Sequence, residues 1–192
     1  MHKFARIVST IFIPPSFTLI SFLFIAIKDE TALLAKLTVI FTAFIFGFAL
    51  QLISFFYFYR KGIISDVDAK MKSERNFPYI VSILIFTIGL IVLLIAGVNK
   101  LAIAFWFCYI SNTFIVILIN RYFKISIHMM GAAGPFALFI FLLGFNAVII
   151  LPLLFVIGWS RLSLKVHTPA EVIIGALFGF FSVYFQLSIF LN

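Results

Sequence analysis

The sequence predicts an all-α membrane protein, a polytopic bundle of about six to seven transmembrane helices. Of its 192 residues, 65% are hydrophobic, only 10% are charged and 28 are phenylalanines. A soluble domain of this size cannot bury so much apolar surface, so part of that surface must face lipid. The apolar residues also fall in long runs between short polar connections. We therefore expect residues 1–192 to form a single integral membrane domain.

Two apolar runs precede the most polar segment of the chain. The first covers residues 7–27 and contains Pro14-Pro15, which predicts a kinked or broken helix. It has no clear small-residue cleavage site, so we expect a retained span rather than a cleaved secretion signal. The second run covers about residues 32–59. It exceeds the roughly 20 residues that a span needs, so it is expected to tilt or to emerge from the membrane.

Five further apolar segments are predicted after the polar segment Arg60–Asn76. Gly144-Phe145-Asn146 is a turn signal that separates the fifth and sixth segments of the chain, which are both short. Cys108 is the only cysteine and lies in an apolar run, so we expect it to pack as a small hydrophobe without a disulfide. The five segments cover about residues 78–98, 101–119, 126–143, 147–159 and 169–191.

Three polar stretches are expected to emerge on one face of the membrane. They are Arg60–Asn76, Asn120–His128 and Ser160–His167, and two apolar segments separate each from the next. If every segment crosses, the side chains of all three can meet on that face. All but three of the 14 lysines and arginines are expected on this face. Basic residues near the ends of membrane spans commonly set the orientation of the spans and bind lipid headgroups. The net charge of +8 therefore predicts no nucleic-acid partner.

The stretch from Ser160 to Glu171, SRLSLKVHTPAE, concentrates ionisable residues that are scarce elsewhere in the chain. Thr168-Pro169-Ala170-Glu171 has the pattern of a capping box, which would place His167 just before a helix N-terminus that favours anions. Glu171 either caps this helix only or also holds the His167 ring, fixing which nitrogen can act as a nucleophile. Arg161 suits bidentate binding of a phosphate, or it is a plain interfacial arginine.

The spacing of Ser160-Arg161, His167 and Glu171 resembles the third signature of the type 2 phosphatidic acid phosphatase (PAP2) superfamily, SR-x5-H-x3-D. Glutamate stands where the family has aspartate. The resemblance implies a membrane-embedded helical phosphatase in which this histidine attacks phosphorus and becomes transiently phosphorylated. It implies a PAP2-like core over about residues 60–191, preceded by two extra spans over about residues 7–59.

The family also needs a second histidine as general acid, within a PSGH-like signature. Ser126-Ile127-His128 has the Ser-x-His spacing, while Ile125 and Ile127 replace the proline and the glycine. The glycine of such a signature lets backbone approach a phosphate closely, which an isoleucine does poorly. The alternative for His128 is an interfacial histidine near a helix start.

The first family signature, K-x6-R-P, is matched less fully. Arg75 suits its arginine, but Asp68 occupies the lysine position and the proline follows only at Pro78. If this segment is helical, Lys72 lies about 60° around the axis from Arg75 and substitutes for the missing lysine.

The resemblance and the charges together predict one phosphate-handling site. Positive groups would surround the phosphate oxygens, and two serine hydroxyls would add hydrogen bonds; these are Arg75, Arg161, Lys72, Lys124, Ser126 and Ser160. No metal or other cofactor is expected. The substrate would be a phosphatidate, a phosphatidylglycerol phosphate or a polyprenyl (di)phosphate in a bacterial-type plasma membrane. The positive-inside rule puts the site in the cytoplasm, whereas the resemblance implies the opposite side, so the side stays open.

Two other functions are compatible with parts of the sequence. Asp66-Val67-Asp68, with Arg75 and Pro78, is similar to the first aspartate-rich motif of UbiA-type prenyltransferases, which binds a diphosphate through magnesium. That family needs a second aspartate-rich motif, and no aspartate follows Asp68. The other alternative is a non-catalytic lipid-binding, transport or scaffold protein with a degenerate PAP2 frame. The sequence does not predict an oligomeric state.

Overall fold

The computed structural model describes residues 2–191, which contain helices and no β-strand, as the composition predicts. A π-helix over Ala43–Ala49 joins α3 to α4, and short 3₁₀ helices lie at Lys72–Glu74 and Gly144–Ile150. The α-helices are α1 (His2–Ile11), α2 (Pro14–Asp29), α3 (Leu33–Thr42), α4 (Leu50–Arg60), α5 (Asn76–Ile95), α6 (Lys100–Ile119), α7 (Ile127–Leu143), α8 (Leu151–Ser163) and α9 (Pro169–Leu191).

Several helices have the length and apolarity of membrane spans. Within residues 2–191, five stretches meet this description, or six if the broken pair α1 and α2 counts as one span. The break between Ile11 and Pro14 confirms the interruption predicted from Pro14-Pro15. A multi-pass membrane architecture is thus supported in its coarse form, with five to six spans where six to seven were expected. The stretches are Leu33–Arg60, Lys72–Ile95, Lys100–Ile119, Ile127–Ser163 and Pro169–Leu191.

The difference in number arises at Ile127–Ser163, where the sequence predicts two short segments. Gly144, which follows α7, has φ of +59° and ψ of −142°, a non-helical backbone conformation that ends α7 and that glycine adopts without strain. A Cβ atom on Gly158, near the end of α8, would lie 3.5 Å from the sulfur of Met129, near the start of α7. The two helices therefore fold back on each other as a hairpin. Their 17 and 13 residues make each half shorter than a full span.

The chain divides into two units. The first contains residues 2–17 and 123–190, so it combines α1 with α7, α8 and α9. The second contains residues 18–122, with most of α2 and helices α3 to α6. Seven of the nine predicted site residues lie in the first unit, and Lys72 and Arg75 lie in the second.

Close packing of α7 on α9 shapes the first unit. A Cβ atom on Gly175 would lie 2.7 Å from the Ser126 carbonyl oxygen, and one on Gly179 would lie 2.5 Å from that of Met130. A side chain at either glycine would push α7 away from α9, as at other small-xxx-small helix contacts in membranes. The start of α7 is therefore held against the start of α9, where the Ser126 amide also donates to the Glu171 carbonyl oxygen at 3.0 Å.

The second unit is built around the buried indole of Trp106 on α6. Its ring meets Phe22 edge-on at a centroid distance of 5.0 Å, and its Nε1 donates to the Phe86 carbonyl oxygen at 2.7 Å. Cys108, on the same helix, is buried and has a free thiol, as predicted. Aromatic rings thus surround the indole, and Phe86 also meets it edge-on at a centroid distance of 5.9 Å.

Candidate functional site

The capping box predicted at the start of α9 is present. Pro169 is the first residue of the helix. The Glu171 amide donates to Thr168 Oγ1 at 3.3 Å, and the Thr168 amide donates to Glu171 Oε2 at 3.4 Å. The chain reaches this cap from α8 through a tight turn, in which Lys165 adopts a left-handed φ of +53°. The turn and the cap together present His167 at the N-terminus of α9.

His167 and Glu171 form a close pair. His167 Nδ1 lies 2.6 Å from Glu171 Oε2, much nearer than either capping contact, and the imidazole side chain is only 2% exposed. Because a carboxylate only accepts hydrogen bonds, Nδ1 carries the proton, and the lone pair of the neutral ring lies on Nε2. Glu171 therefore caps the helix and also orients the imidazole, with Nε2 as its basic nitrogen.

Lys124 approaches the same carboxylate from the segment before α7. Its Nζ donates to the Val166 carbonyl oxygen at 2.9 Å and lies 3.8 Å from Glu171 Oε2. The predicted meeting of the Asn120–His128 connection with the Ser160–Glu171 stretch is confirmed by these contacts. An open pocket of about 610 Å³ adjoins them. Its lining is Lys124, Leu162, Lys165, Val166, His167, Thr168, Pro169 and Glu171.

The first turn of α7 holds the other two residues predicted from the PSGH-like segment. Ser126 is the N-cap residue, and its hydroxyl is fully buried with no hydrogen-bond partner among residues 2–191. His128 Nε2 lies 3.2 Å from the carbonyl oxygen of Ser9 on α1. A carbonyl oxygen accepts, so this nitrogen is the protonated one at the contact.

Arg161 and Ser160, at the end of α8, are both buried. Ser160 Oγ donates to the Ile157 carbonyl oxygen at 2.7 Å, so its proton is used within its own helix. Arg161 is 1% exposed, and its Nη1 donates to the hydroxyl of Ser9. Ser9 thus contacts both Arg161 and His128.

Sequence reasoning missed Ser9. Residues 7–27 were expected to form one apolar run, and the identity of Ser9 within that run does not indicate a functional role. The break before Pro14 was the available hint, because it separates α1 from the span and lets a short helix pack elsewhere. Three small residues of α1, Ala5, Val8 and Ser9, are buried and mark its packed face.

Lys72 and Arg75 have partners inside the second unit. Arg75 is buried, and its Nε donates to the Ala69 carbonyl oxygen at 2.7 Å, across the loop before α5. Lys72 lies on the 3₁₀ turn just before Arg75, and its Nζ donates to the Arg121 carbonyl oxygen at 2.9 Å. Both side chains thereby hold the Arg60–Asn76 segment in place, and their predicted contacts with phosphate stay predictions.

Among residues 2–191, no group of three or more His, Cys, Asp or Glu side chains is arranged to hold a metal ion. The site instead offers an imidazole paired with a carboxylate, a second imidazole, a buried guanidinium and a lysine. No family model, no curated protein and no solved structure matches this chain.

Proposed function

We propose that this protein is a membrane-embedded lipid phosphatase, which hydrolyses a phosphomonoester or diphosphate of a lipid through a phosphohistidine at His167. The observation that carries the proposal is the 2.6 Å contact between His167 Nδ1 and Glu171 Oε2 beside an open pocket. This arrangement makes Nε2 the basic nitrogen and holds it at a helix N-terminus, where a phosphate is favoured. The motif spacing around Arg161 agrees with the same chemistry.

In the first half-reaction, the lone pair on His167 Nε2 attacks phosphorus and forms a P–N bond. The ring becomes a cation, which the Glu171 carboxylate at Nδ1 stabilises. The bond from phosphorus to the leaving oxygen breaks, and His128 supplies a proton to that oxygen. The leaving group is a lipid alcohol from a monoester and a lipid monophosphate from a diphosphate.

In the second half-reaction, water attacks the phosphorus of phosphohistidine. His128, now neutral, takes a proton from this water, and the P–N bond breaks to return His167 and release inorganic phosphate. Phosphoryl transfer depends mostly on positioning and on charge around the equatorial oxygens. Arg161 is suited to bind two of those oxygens, and Lys124 maintains the Glu171 carboxylate next to the nucleophile.

The membrane architecture supports a lipid as the substrate. The pocket lies at the ends of helices that are long and apolar enough to span a bilayer, so an amphiphile could bring its headgroup there while its tail stays in lipid. Phosphatidate, phosphatidylglycerol phosphate and polyprenyl (di)phosphate all have this form. We propose a bacterial-type plasma membrane as its location.

The test is release of phosphate from these three lipids by the purified protein in detergent, with and without a chelator. We expect release that survives the chelator, and losses of at least about 10²-fold in His167→Ala and His128→Ala. His2→Ala is the matched control, because His2 is exposed on α1 and has no role in the mechanism. A phosphate label trapped at position 167 after acid-free quenching would be positive evidence. Equal, slow release by wild type and all three variants would sink the proposal.

One observation favours a second candidate, a non-catalytic lipid-binding protein. Arg161, the side chain best suited to the phosphate, is 1% exposed and already contacts Ser9. The same experiment separates the two functions, because a binding protein would retain a labelled phospholipid without releasing phosphate from it.

A further inference from the structure

A single residue of α1, Ser9, contacts two side chains that the proposed mechanism uses, Arg161 and His128. The carbonyl oxygen of Ser9 accepts from His128 Nε2 at 3.2 Å, and its hydroxyl accepts from Arg161 Nη1. Ser9 itself is only 3% exposed. A guanidinium has donors only, and the Nε2–H of His128 is also a donor, so both side chains require acceptor oxygens. A phosphate ester would present such oxygens to them.

The open pocket reaches one half of the site only. Among the described residues, its lining includes His167 and Glu171 but neither Arg161 nor His128. A phosphate entering the pocket would therefore meet the nucleophile before it could meet the guanidinium or the general acid. Full engagement requires that α1 move away.

We propose that α1 is a lid over the active site, and that Ser9 holds the place of two substrate oxygens in the closed state. This inference rests on the proposed function for its catalytic meaning. The enzyme is closed at rest, and a phosphate ester displaces Ser9 from Arg161 and His128 as it binds.

The chain has a pivot at the base of this lid. α1 ends at Ile11 and α2 begins at Pro14. From Pro14 onward the chain is anchored, because a Cβ atom on Gly131 of α7 would lie 2.9 Å from Pro14 Cβ and Phe17 is part of the buried core. The intervening residues, 12–13, lie outside the helices and can absorb a change in backbone angles, as hinges do.

The packing of α1 suits a movable element. Only Ala5, Val8 and Ser9 of α1 are buried, and Phe4 adds a ring contact with Trp159 of α8 at a centroid distance of 5.9 Å. The contact that must separate on opening is therefore confined to one face of a ten-residue helix. Phe4, Ile7 and Ile11 are each more than half exposed. Lys3 and Arg6 are exposed on another side of the helix, which gives α1 the character of an interfacial amphipathic helix. A lipid surface can therefore support α1 in both closed and open positions.

The first test removes only the Ser9 hydroxyl. Ser9→Ala removes the hydroxyl that accepts from Arg161 Nη1 and keeps the carbonyl oxygen that faces His128. A hydrogen bond to a charged group is typically strong enough to shift the closed-to-open ratio by on the order of tenfold. We expect KM for a water-soluble phosphomonoester to fall by up to about tenfold while kcat is kept, because less of the enzyme is closed. Thr10→Ala, an exposed neighbour, is the matched control. A fall in kcat at unchanged KM would instead make Ser9 a positioning residue and overturn the lid.

The second test needs no turnover. Cys108 is replaced by alanine, and Val8, 5% exposed on the packed face of α1, is replaced by cysteine. We expect a water-soluble maleimide to alkylate this cysteine slowly, and inorganic phosphate or orthovanadate to accelerate it several-fold. Thr10→Cys, on the exposed side of the same helix, should react rapidly with or without the anion. An alkylation rate at position 8 that either anion leaves unchanged would refute the lid. If the anions accelerate it although no lipid phosphate is hydrolysed, the lid stands and the phosphatase proposal fails.

Discussion

Replacing Glu171 with glutamine should reduce turnover far more than it reduces stability. On the proposed function, the carboxylate oxygen at 2.6 Å from His167 Nδ1 stabilises the imidazolium formed on attack, and a charged hydrogen bond of this kind contributes about 1.5–3 kcal/mol. That alone corresponds to roughly 10- to 150-fold in kcat. The glutamine amide can also turn its NH₂ toward Nδ1 and move the proton to Nε2, which blocks the nucleophile. Loss of the correct tautomer raises the expected effect toward ~10⁴-fold, as in Ser-His-Asp enzymes.

The cap supplies the control for this experiment. Glu171 also accepts from the Thr168 amide at 3.4 Å, so some of its effect could be on the fold. Thr168→Ala removes the other half of the capping box, at a cost of about 1 kcal/mol in unfolding free energy, and leaves the His167 contact in place. We expect Glu171→Gln and Thr168→Ala to lower Tm by similar amounts, with only the former losing phosphate release. Glu171→Asp should keep activity within about tenfold, because the charge is retained. If Glu171→Gln releases phosphate at a rate within threefold of wild type, the orienting role of Glu171 is wrong.

Two further changes test the supports of the site. Gly175→Ala should lower the unfolding free energy by about 1–3 kcal/mol, because its Cβ atom would lie 2.7 Å from the Ser126 carbonyl oxygen. Thermal unfolding measures this loss, with Leu177→Ala, at an exposed position of the same helix, as the control. An unchanged Tm would mean that α7 does not approach α9 this closely. Arg75→Ala removes the 2.7 Å hydrogen bond to the Ala69 carbonyl oxygen and should make the Arg60–Asn76 segment more sensitive to trypsin. Lys70→Ala, at an exposed position of the same segment, is the control. Loss of phosphate release without faster cleavage would make Arg75 a phosphate ligand rather than a residue that stabilises the segment.

Local sequence relations predicted most of what is near His167. Thr168, Pro169 and Glu171 lie within four residues of the histidine, and the capping box turns the chain so that Glu171, in the first turn of α9, reaches back to the imidazole. The turn at Gly144 was equally readable, since glycine there adopts an angle that few other residues accept.

Long-range contacts could not be predicted in the same way. The contact between Ser9 and Arg161 joins positions 152 residues apart, and it depends on a break that allows α1 to leave the direction of α2. Gly175 and Gly179 have the spacing of a small-xxx-small contact, but no local rule identifies the helix that packs against them. The position of Lys124 beside Glu171 likewise follows from this packing rather than from the residues next to it.

The PAP2-like pattern has a glycine before His128 where this chain has Ile127, and the packing at Ser126 gives this departure a consequence. In this chain Gly175 of α9 lets the backbone at Ser126 approach α9 closely, and the Ser126 amide donates to the Glu171 carbonyl oxygen. That amide is thereby used to join α7 to α9 instead of facing a phosphate. On the proposed function, more of the phosphate binding then falls on the guanidinium of Arg161. The Ser9 hydroxyl accepts from this guanidinium, so on the proposed lid one oxygen of the chain competes with the substrate for the side chain on which phosphate binding most depends.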